Sequence, residues 1–332
     1  MNFVSLFAGI GGEHAALRNA LRCVPSLNHC DKSFYAFDFM PHAERSFRAN
    51  FPDVDFRLRD LSTTSAIDEG LADVDFLWSS APCTEFSSAK EGRKKNEAIS
   101  NLNALVFERW VKPTRPRVAV FENVIQMRNW GPLDANGVAI RDRRGENYRL
   151  FLDNLRSLGY TVSEVILDGA DYGDAATRRR LFVVAVLCGL AFTTPPIPSD
   201  VKHKYIFDCV DLTLPTRPIK SVWKVFKMRV ERARALGVSE GVFASNGFSG
   251  GTWGRQFDQK FQTFTTNAPF VVTKNLSEIR NLTAPEMGKA LGFPDNFIYP
   301  NPPTVNVLGV GNSVSVTAVT SLLTMVLSEV FK

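Results

Sequence analysis

The chain has 332 residues, 45% of them hydrophobic and 22% charged, with a formal net charge of +5. That supply of apolar residues builds one large core with a smaller one beside it, and it excludes a disordered, collagen-like or cysteine-stapled scaffold. The basic excess is mild and points toward an anionic partner without demanding one.

In chain order, Phe3-Val4-Ser5-Leu6-Phe7 reads as a buried strand, Gly9-Ile10-Gly11-Gly12 as a tight turn and Glu13 to Ala20 as a helix. A strand, glycine turn and helix in this order let a ligand approach the backbone closely and aim helix N–H groups at a negative group. His14 stands where a dinucleotide fingerprint has its third glycine, so the turn suits a single carboxylate better than a pyrophosphate. The next strand, Ser33 to Phe37, ends at Asp38, which either accepts hydrogen bonds from a ribose or caps the helix that Pro41 opens. Asp60, after Asp55-Phe56-Arg57-Leu58, is a polar-turn aspartate or a ligand contact.

Val74 to Trp78 is a third strand, and Pro82-Cys83 lies just past its carboxyl end, where open α/β sheets collect their chemistry. Cys83 is thereby a candidate nucleophile, although a free cysteine is more often a small buried hydrophobe. The polar stretch from Ser87 to Asn96 carries Lys90, Arg93, Lys94 and Lys95, which meet phosphates or only water. A helix from Asn101 to Val111 leads to the strand Arg117 to Phe121, which ends in Glu122-Asn123-Val124 and brings a carboxylate toward the thiol. The basic run Arg141-Asp142-Arg143-Arg144 has the same two readings as the earlier one. A helix over Asn147 to Leu158 and strands over Thr161 to Leu167 and Leu181 to Leu187 complete the sheet, with Thr177-Arg178-Arg179-Arg180 supplying guanidinium forks at the start of the last.

Thr194-Pro195-Pro196-Ile197-Pro198 is a linker signal. Beyond it, Trp223 to Arg232 reads as a basic helix and Ser249 to Arg255 as a Gly-rich loop. Each is a DNA contact or an ordinary surface element. Thr283 and Glu286 form a capping box on a helix that Gly292 stops. After Gly311-Asn312-Ser313, the apolar run Val314 to Phe331 reads as a helix expected to pack beside the first strand.

Six stretches resemble, in order, the motifs of the DNA (cytosine-5)-methyltransferase family: Phe7-Ala8-Gly9-Ile10-Gly11-Gly12; Pro82-Cys83; Glu122-Asn123-Val124; Arg178 with Arg180; Arg280 to Glu286 followed by Gly292-Phe293-Pro294; and Gly311 to Val316. The resemblance runs from Phe3 to about Leu327. It implies an α/β fold with a Rossmann-like S-adenosylmethionine-dependent methyltransferase domain over 1–190. A smaller target-recognition domain over 191–275 and a C-terminal segment, 276–332, returning to the first domain would follow. Catalysis would fall to Cys83, Glu122, Arg178 and Arg180. S-adenosylmethionine would lie against Phe7, Gly9, Gly11, Gly12, Asp38, Asp60, Pro82, Asn312 and Ser313. Ser87 and Arg255 would face the substrate, duplex DNA, and the biological setting would be DNA methylation in restriction-modification.

Three departures from the family pattern stand out: Thr84-Glu85 replace the usual Gln-Gly after the cysteine, Ala176 replaces a glutamine, and Ser79-Ser80 replace glycines. A carboxylate at position 85 close to DNA would be unfavourable unless paired. Two other readings use the same residues. One is an RNA cytosine-5 methyltransferase of the same fold, whose tRNA-modifying branch carries a Cys-Phe-Thr signature absent here. The other is a DNA-binding protein with altered or lost transfer. A zinc deaminase, suggested by His42-Ala43-Glu44 and Pro82-Cys83, fails because position 86 is Phe rather than Cys. Cys23, Cys30, Cys83, Cys188 and Cys209 are odd in number and include no Cys-x-x-Cys pair, which favours a reducing compartment and neither disulfides nor metal. No secretory leader is evident and no apolar run reaches the roughly 20 residues of a membrane span, so a soluble cytoplasmic monomer is expected.

Overall fold

The computed structural model describes residues 1–86, 94–218, 231, 235, 241–245, 252–255, 257–266, 269–273 and 277–332, with backbone alone at 241–245, 252–255 and 272–273. The expectations placed on Ser87, Lys90 and Arg93 fall outside the described residues, as do most of the basic helix and residues 249–251 of the Gly-rich loop. Arg255 is described by its backbone in a strand.

Strands buried on both faces need continuous apolar runs rather than alternation, and the first half of the chain supplies them. β1 (Asn2–Leu6), β2 (Ser33–Asp38), β3 (Asp55–Leu58), β4 (Phe76–Ser79), β5 (Val118–Asn123), β6 (Thr161–Asp168) and β7 (Arg179–Val186) form one seven-stranded sheet in the order β3-β2-β1-β4-β5-β7-β6. β1 pairs in parallel with β2 and β4, and β4 with β5. β7 runs antiparallel to β5, with Asn123 opposite Leu181. The carboxyl ends of β4 and β5 therefore meet the amino end of β7 on one edge of the sheet.

The expected helix after residue 100 forms as Leu102–Val106 followed by a π-helical turn over Phe107–Val111. A wide turn of this kind accommodates one extra residue. Here it accompanies the full burial of Trp110, whose indole N–H bonds the Thr64 carbonyl at 3.2 Å and whose ring meets Phe37 edge-on at 4.8 Å. Truncating a side chain buried this completely costs about 3–5 kcal/mol.

Packing divides the chain into two compact units. The first comprises Met1–Leu167, Arg179–Pro196 and Val319–Lys332, the second Asp168–Arg178 and Ile197–Ala318. The second contains a five-stranded sheet in the order β10-β9-β11-β12-β8, built from β8 (Arg217–Pro218), β9 (Gly241–Ser245), β10 (Thr252–Arg255), β11 (Phe270–Thr273) and β12 (Glu278–Asn281). The sequence-based boundaries at 190 and 276 differ from this grouping at 191–196, which fall in the first unit, and in two longer stretches. Residues 168–178 belong to the second unit because Phe261 N–H bonds the Ala175 carbonyl at 2.7 Å and Thr177 N–H bonds the Phe261 carbonyl at 3.0 Å. Residues 276–318 belong there because β12 pairs with β11, and Ala175 N–H bonds the Ala290 carbonyl at 3.0 Å.

The Thr283–Glu286 capping box is present on the helix Ala284–Ala290. The last helix, Val316–Val330, reaches α1 (Gly12–Arg22) through the Thr320 hydroxyl, 3.5 Å from the Ala16 carbonyl. Among the described residues no single helix is long and apolar enough to cross a membrane.

Candidate active site

The edge formed by β4, β5 and β7 carries Glu122 and Arg180 and leads into the Cys83 turn. β5 is buried along its whole length and ends in Glu122 and Asn123. Glu122 Oε1 lies 3.2 Å from Arg180 Nε, with side-chain exposures of 10% and 14%. At that burial each charge depends on the other, because removing one partner strands the second in a poorly solvated place. Asn123 turns to the neighbouring connection, where its Nδ2 donates to the Ala81 carbonyl at 3.0 Å and its Oδ1 accepts from Val124 N–H at 2.9 Å. Ala81 is two residues before Cys83, so β5 both carries the Glu122 carboxylate and tethers the turn that carries the thiol. Cys83 is half-buried and in no disulfide, and Phe86 N–H closes a turn onto its carbonyl at 3.0 Å. Pro82, half-buried, immediately precedes it. Ser80 occupies a usual glycine position without loosening the edge: its N–H bonds the Leu6 carbonyl at 3.2 Å and its hydroxyl accepts from the Trp78 indole at 2.6 Å.

The glycine turn sits at the ends of β1 and β2. Phe7 and Gly9 have φ of 57° and 53°, and Gly11 has φ 95°. A side chain at Gly9 would project into open space, so the backbone there is available to a ligand. Gly11 differs, since a Cβ would meet the rings of Phe51 and Phe47. Asp38 is 3% exposed and holds the turn from below: its Oδ2 accepts from Gly9 N–H at 2.9 Å and its Oδ1 from Met40 N–H at 3.0 Å. Burial raises the Asp38 carboxyl above its usual range, against the pull of the N–H groups of Gly9, Met40 and Phe39. Met40, not Asp38, is the N-cap residue of α2 (Pro41–Asn50), and it makes no side-chain cap bond. His14 is a packing residue among Phe34, Phe47 and Phe51, and burial holds its pKa down to about 3.

The other expected residues have local partners of their own. Asp60 is exposed and accepts from Ser62 N–H at 2.9 Å, and its carboxyl is lowered by bonds from the Ser62 hydroxyl and N–H. Arg178 and Arg180 separate: Arg178 belongs to the second unit, is 4% exposed and donates Nη1 to the Gly311 carbonyl at 3.2 Å. Asn312 is exposed and ends the helix Pro303–Asn312, and Ser313 N–H bonds the Val310 carbonyl at 3.1 Å.

Four side chains that sequence reasoning did not single out for the site stand out in the structure. Asn123 is the tether, and its place directly after the glutamate was the available signal. Phe39, 61% exposed beside Asp38, offers a flat apolar face. Glu85 and Glu13 are both buried, at 2% and 7% exposure, where charged residues normally signal surface.

Comparisons with known proteins identify the family. Residues 1–328 match the family model for C-5 cytosine-specific DNA methylase. The chain is 25% identical over 333 residues to the Type II methyltransferase M.HpaII of Haemophilus parainfluenzae, covering 96% of this chain and 86% of that protein. It is 26% identical to the Type II methyltransferase M.NlaX of Neisseria lactamica, covering 96% and 94%. The fold is similar to that of the S. pombe Dnmt2 methyltransferase, with a TM-score of 0.70, 16% identity and full coverage of both chains. With a family match that runs nearly end to end, the protein belongs to the C-5 cytosine-specific DNA methylases and is a cytosine-5 methyltransferase.

Proposed function

We propose that the enzyme methylates carbon 5 of cytosine in duplex DNA from S-adenosylmethionine, through a covalent bond to Cys83. The observation that carries this reading is the Glu122–Arg180 pair at 3.2 Å, on the sheet edge where Asn123 tethers the Cys83 turn. Carbon 5 of cytosine is a poor nucleophile. Addition of the Cys83 thiolate to carbon 6 pushes the ring's double-bond electrons onto carbon 5, while Glu122 binds or protonates nitrogen 3. Arg180, held by Glu122, is placed to bond oxygen 2, and its positive charge favours the thiolate. Carbon 5 then takes the methyl, whose bond to the donor's sulfur would break with its electron pair left on a neutral thioether; a base takes the carbon 5 proton, and the carbon 6–sulfur bond breaks to restore the double bond and the thiolate. These groups act on the face and edge of one ring, so the base must leave the helical stack.

S-adenosylmethionine, when bound, supplies the methyl as an electrophile on a positively charged sulfur. The turn fits such a donor. Gly9 opens to space and Phe39 is exposed; in our reading the N-terminus of α1 favours the donor's carboxylate, Asp38 accepts from ribose hydroxyls and Phe39 meets a flat base. Pro82, Gly12 and Asp60 complete this side of the proposal, with Asn312 and Ser313 assigned by their motif. Arg178 is assigned to support of the fold near Gly311 and, by its motif, to the site. Ser87 and Arg255 are assigned to DNA by motif and position.

Duplex DNA is favoured over RNA by the family match, by the Type II relatives and by the missing Cys-Phe-Thr signature. The same relatives favour a restriction-modification role in the cytoplasm, and we expect a monomer. The test is transfer of tritium from methyl-labelled S-adenosylmethionine to duplex DNA, with RNA as control. Label in DNA that is lost in Cys83→Ser supports the reading, and label in RNA with none in DNA overturns the substrate.

A further inference from the structure

We propose that Glu85 is a positioning residue for Cys83, a role that rests on reading Cys83 as the nucleophile. Glu85 lies two residues after the thiol, where the family pattern has a glycine, yet it is only 2% exposed. A carboxylate taken out of water is strongly unfavourable unless hydrogen-bonded, so its burial needs a compensating contact. One such contact is in place: Glu85 Oε2 accepts Asn96 N–H at 2.9 Å, and the Thr84 hydroxyl lies 3.5 Å from Oε1.

Asn96 is a fixed post. Its side chain caps α3 (Glu97–Ser100) by accepting Ile99 N–H at 3.4 Å, and its carbonyl accepts both Ser100 N–H and the Ser100 hydroxyl at 3.0 Å. The preceding residue, Lys95, donates its N–H to the Gly137 carbonyl at 2.9 Å, tying the post to the short hairpin in which Leu133 bridges Ala139. On the other side of Glu85, Phe86 is buried against Trp130, with ring centroids 6.0 Å apart.

The Cys83 turn is thus gripped from both directions. Asn123 holds the carbonyl two residues before the sulfur, and Glu85 anchors the chain two residues after it. A nucleophile on a short turn has no strand or helix of its own to fix its direction. A displacement near 1 Å costs about 100-fold in rate, so a side chain that locks the turn acts on turnover and not on donor binding.

The experiment compares full-length Glu85→Ala and Glu85→Gln with the unsubstituted enzyme. It measures kcat, the KM for S-adenosylmethionine, and the rate of adduct formation on a duplex carrying 5-fluorocytosine. Glu85→Ala is expected to lower kcat and adduct rate about 30-fold with the donor KM within about 2-fold, and Glu85→Gln, whose amide oxygen still accepts the Asn96 N–H, to recover to within about 3-fold. Full activity in Glu85→Ala overturns the proposal, as does a glutamine variant no better than alanine. Should Glu85→Ala not fold, Asn96→Pro deletes the same hydrogen bond from the donor side, with Asn96→Ala as the control that loses only the cap. The proposal requires the proline variant to be slow and the alanine variant to stay within about 3-fold, and equal rates in the two reject it. Cys83→Ser separates the two ideas: activity in that variant refutes the nucleophile itself, whereas its inactivity beside a fully active Glu85→Ala refutes only the positioning role.

Discussion

The carboxyl edge of the large sheet has two stretches, a first edge at β4, β5 and β7 and a second at β1 and β2, and they are built differently. Where β4, β5 and β7 meet, the polar groups bind one another across the edge: Glu122 with Arg180, Asn123 with the Ala81 carbonyl, Glu85 with the Asn96 N–H. At the ends of β1 and β2, a single carboxylate, Asp38, binds the backbone of the glycine turn, and the space over Gly9 is open. The first arrangement fixes side chains relative to each other, as the transition state of the proposed reaction requires. The second fixes the shape of a backbone and leaves room for a ligand. Damage to the first edge should therefore appear in turnover, and damage to the second in donor affinity.

That contrast can be broken at several points. Cys83→Ser should remove methyl transfer, by at least about 1000-fold, while the dissociation constant for S-adenosylmethionine measured by calorimetry stays within about 2-fold. Arg180→Ala leaves the Glu122 carboxylate without its charge partner and should lower kcat by roughly 100-fold, corresponding to about 3 kcal/mol, again with little change in donor binding. Asp38→Ala should reverse the pattern, raising the donor KM about 10-fold through the unlatched turn while kcat at saturation falls no more than about 3-fold. A loss of kcat with unchanged KM in Asp38→Ala would merge the two edges into one unit and remove the distinction.

The smallest effect concerns Glu13, buried in the first turn of α1 with one carboxylate oxygen lacking a hydrogen-bond partner. Burial pushes its pKa from 4.5 to about 8, with Asp38 adding repulsion and bonds from the Glu13 and His14 N–H groups and the Ser5 hydroxyl opposing the rise. A carboxyl raised in the folded state favours folding in its protonated form. Its contribution is complete below about pH 4.5 and is lost as pH rises toward 8. At about 1.4 kcal/mol per pKa unit the loss is capped near 5 kcal/mol, and partial hydration of the ionised group reduces it. Thermal melts should show Glu13→Gln matching the unsubstituted protein at pH 5 and exceeding it by a few degrees at pH 8.5. Parallel melting curves at both values would show that Glu13 is not held protonated.

Much of the first edge was readable before any coordinates. β1 and β5 announce themselves as unbroken apolar runs, and the residues that follow them are those a strand tip would present. The same reasoning put Arg178 and Arg180 together, since they are two apart at the start of one strand. Only packing shows that Arg178 bonds the Gly311 carbonyl while Arg180 meets Glu122. Glu85 and Glu13 were opaque for a related reason: a charged residue in a polar stretch or a first helical turn carries no mark of being buried. The π-helical turn around Trp110 has no sequence pattern of its own, because it answers the Thr64 carbonyl some 46 residues away. The second unit was least legible, since its strands are two to five residues long and pair across long separations, as Glu278 of β12 does with Pro218 of β8. The segments 168–178 and 276–318 are grouped differently by packing for that reason.

The central claim, covalent attack by the thiol of residue 83, has a direct test. In DNA carrying 5-fluorocytosine at the target, the fluorine cannot leave as a proton does, so elimination fails and an attacked base stays bonded to the enzyme. Incubation with S-adenosylmethionine, denaturing electrophoresis and peptide mass spectrometry should give a donor-dependent adduct located on Cys83 and missing in Cys83→Ser. A protein that methylates ordinary cytosine yet forms no such adduct, or forms it at another residue, would contradict the account.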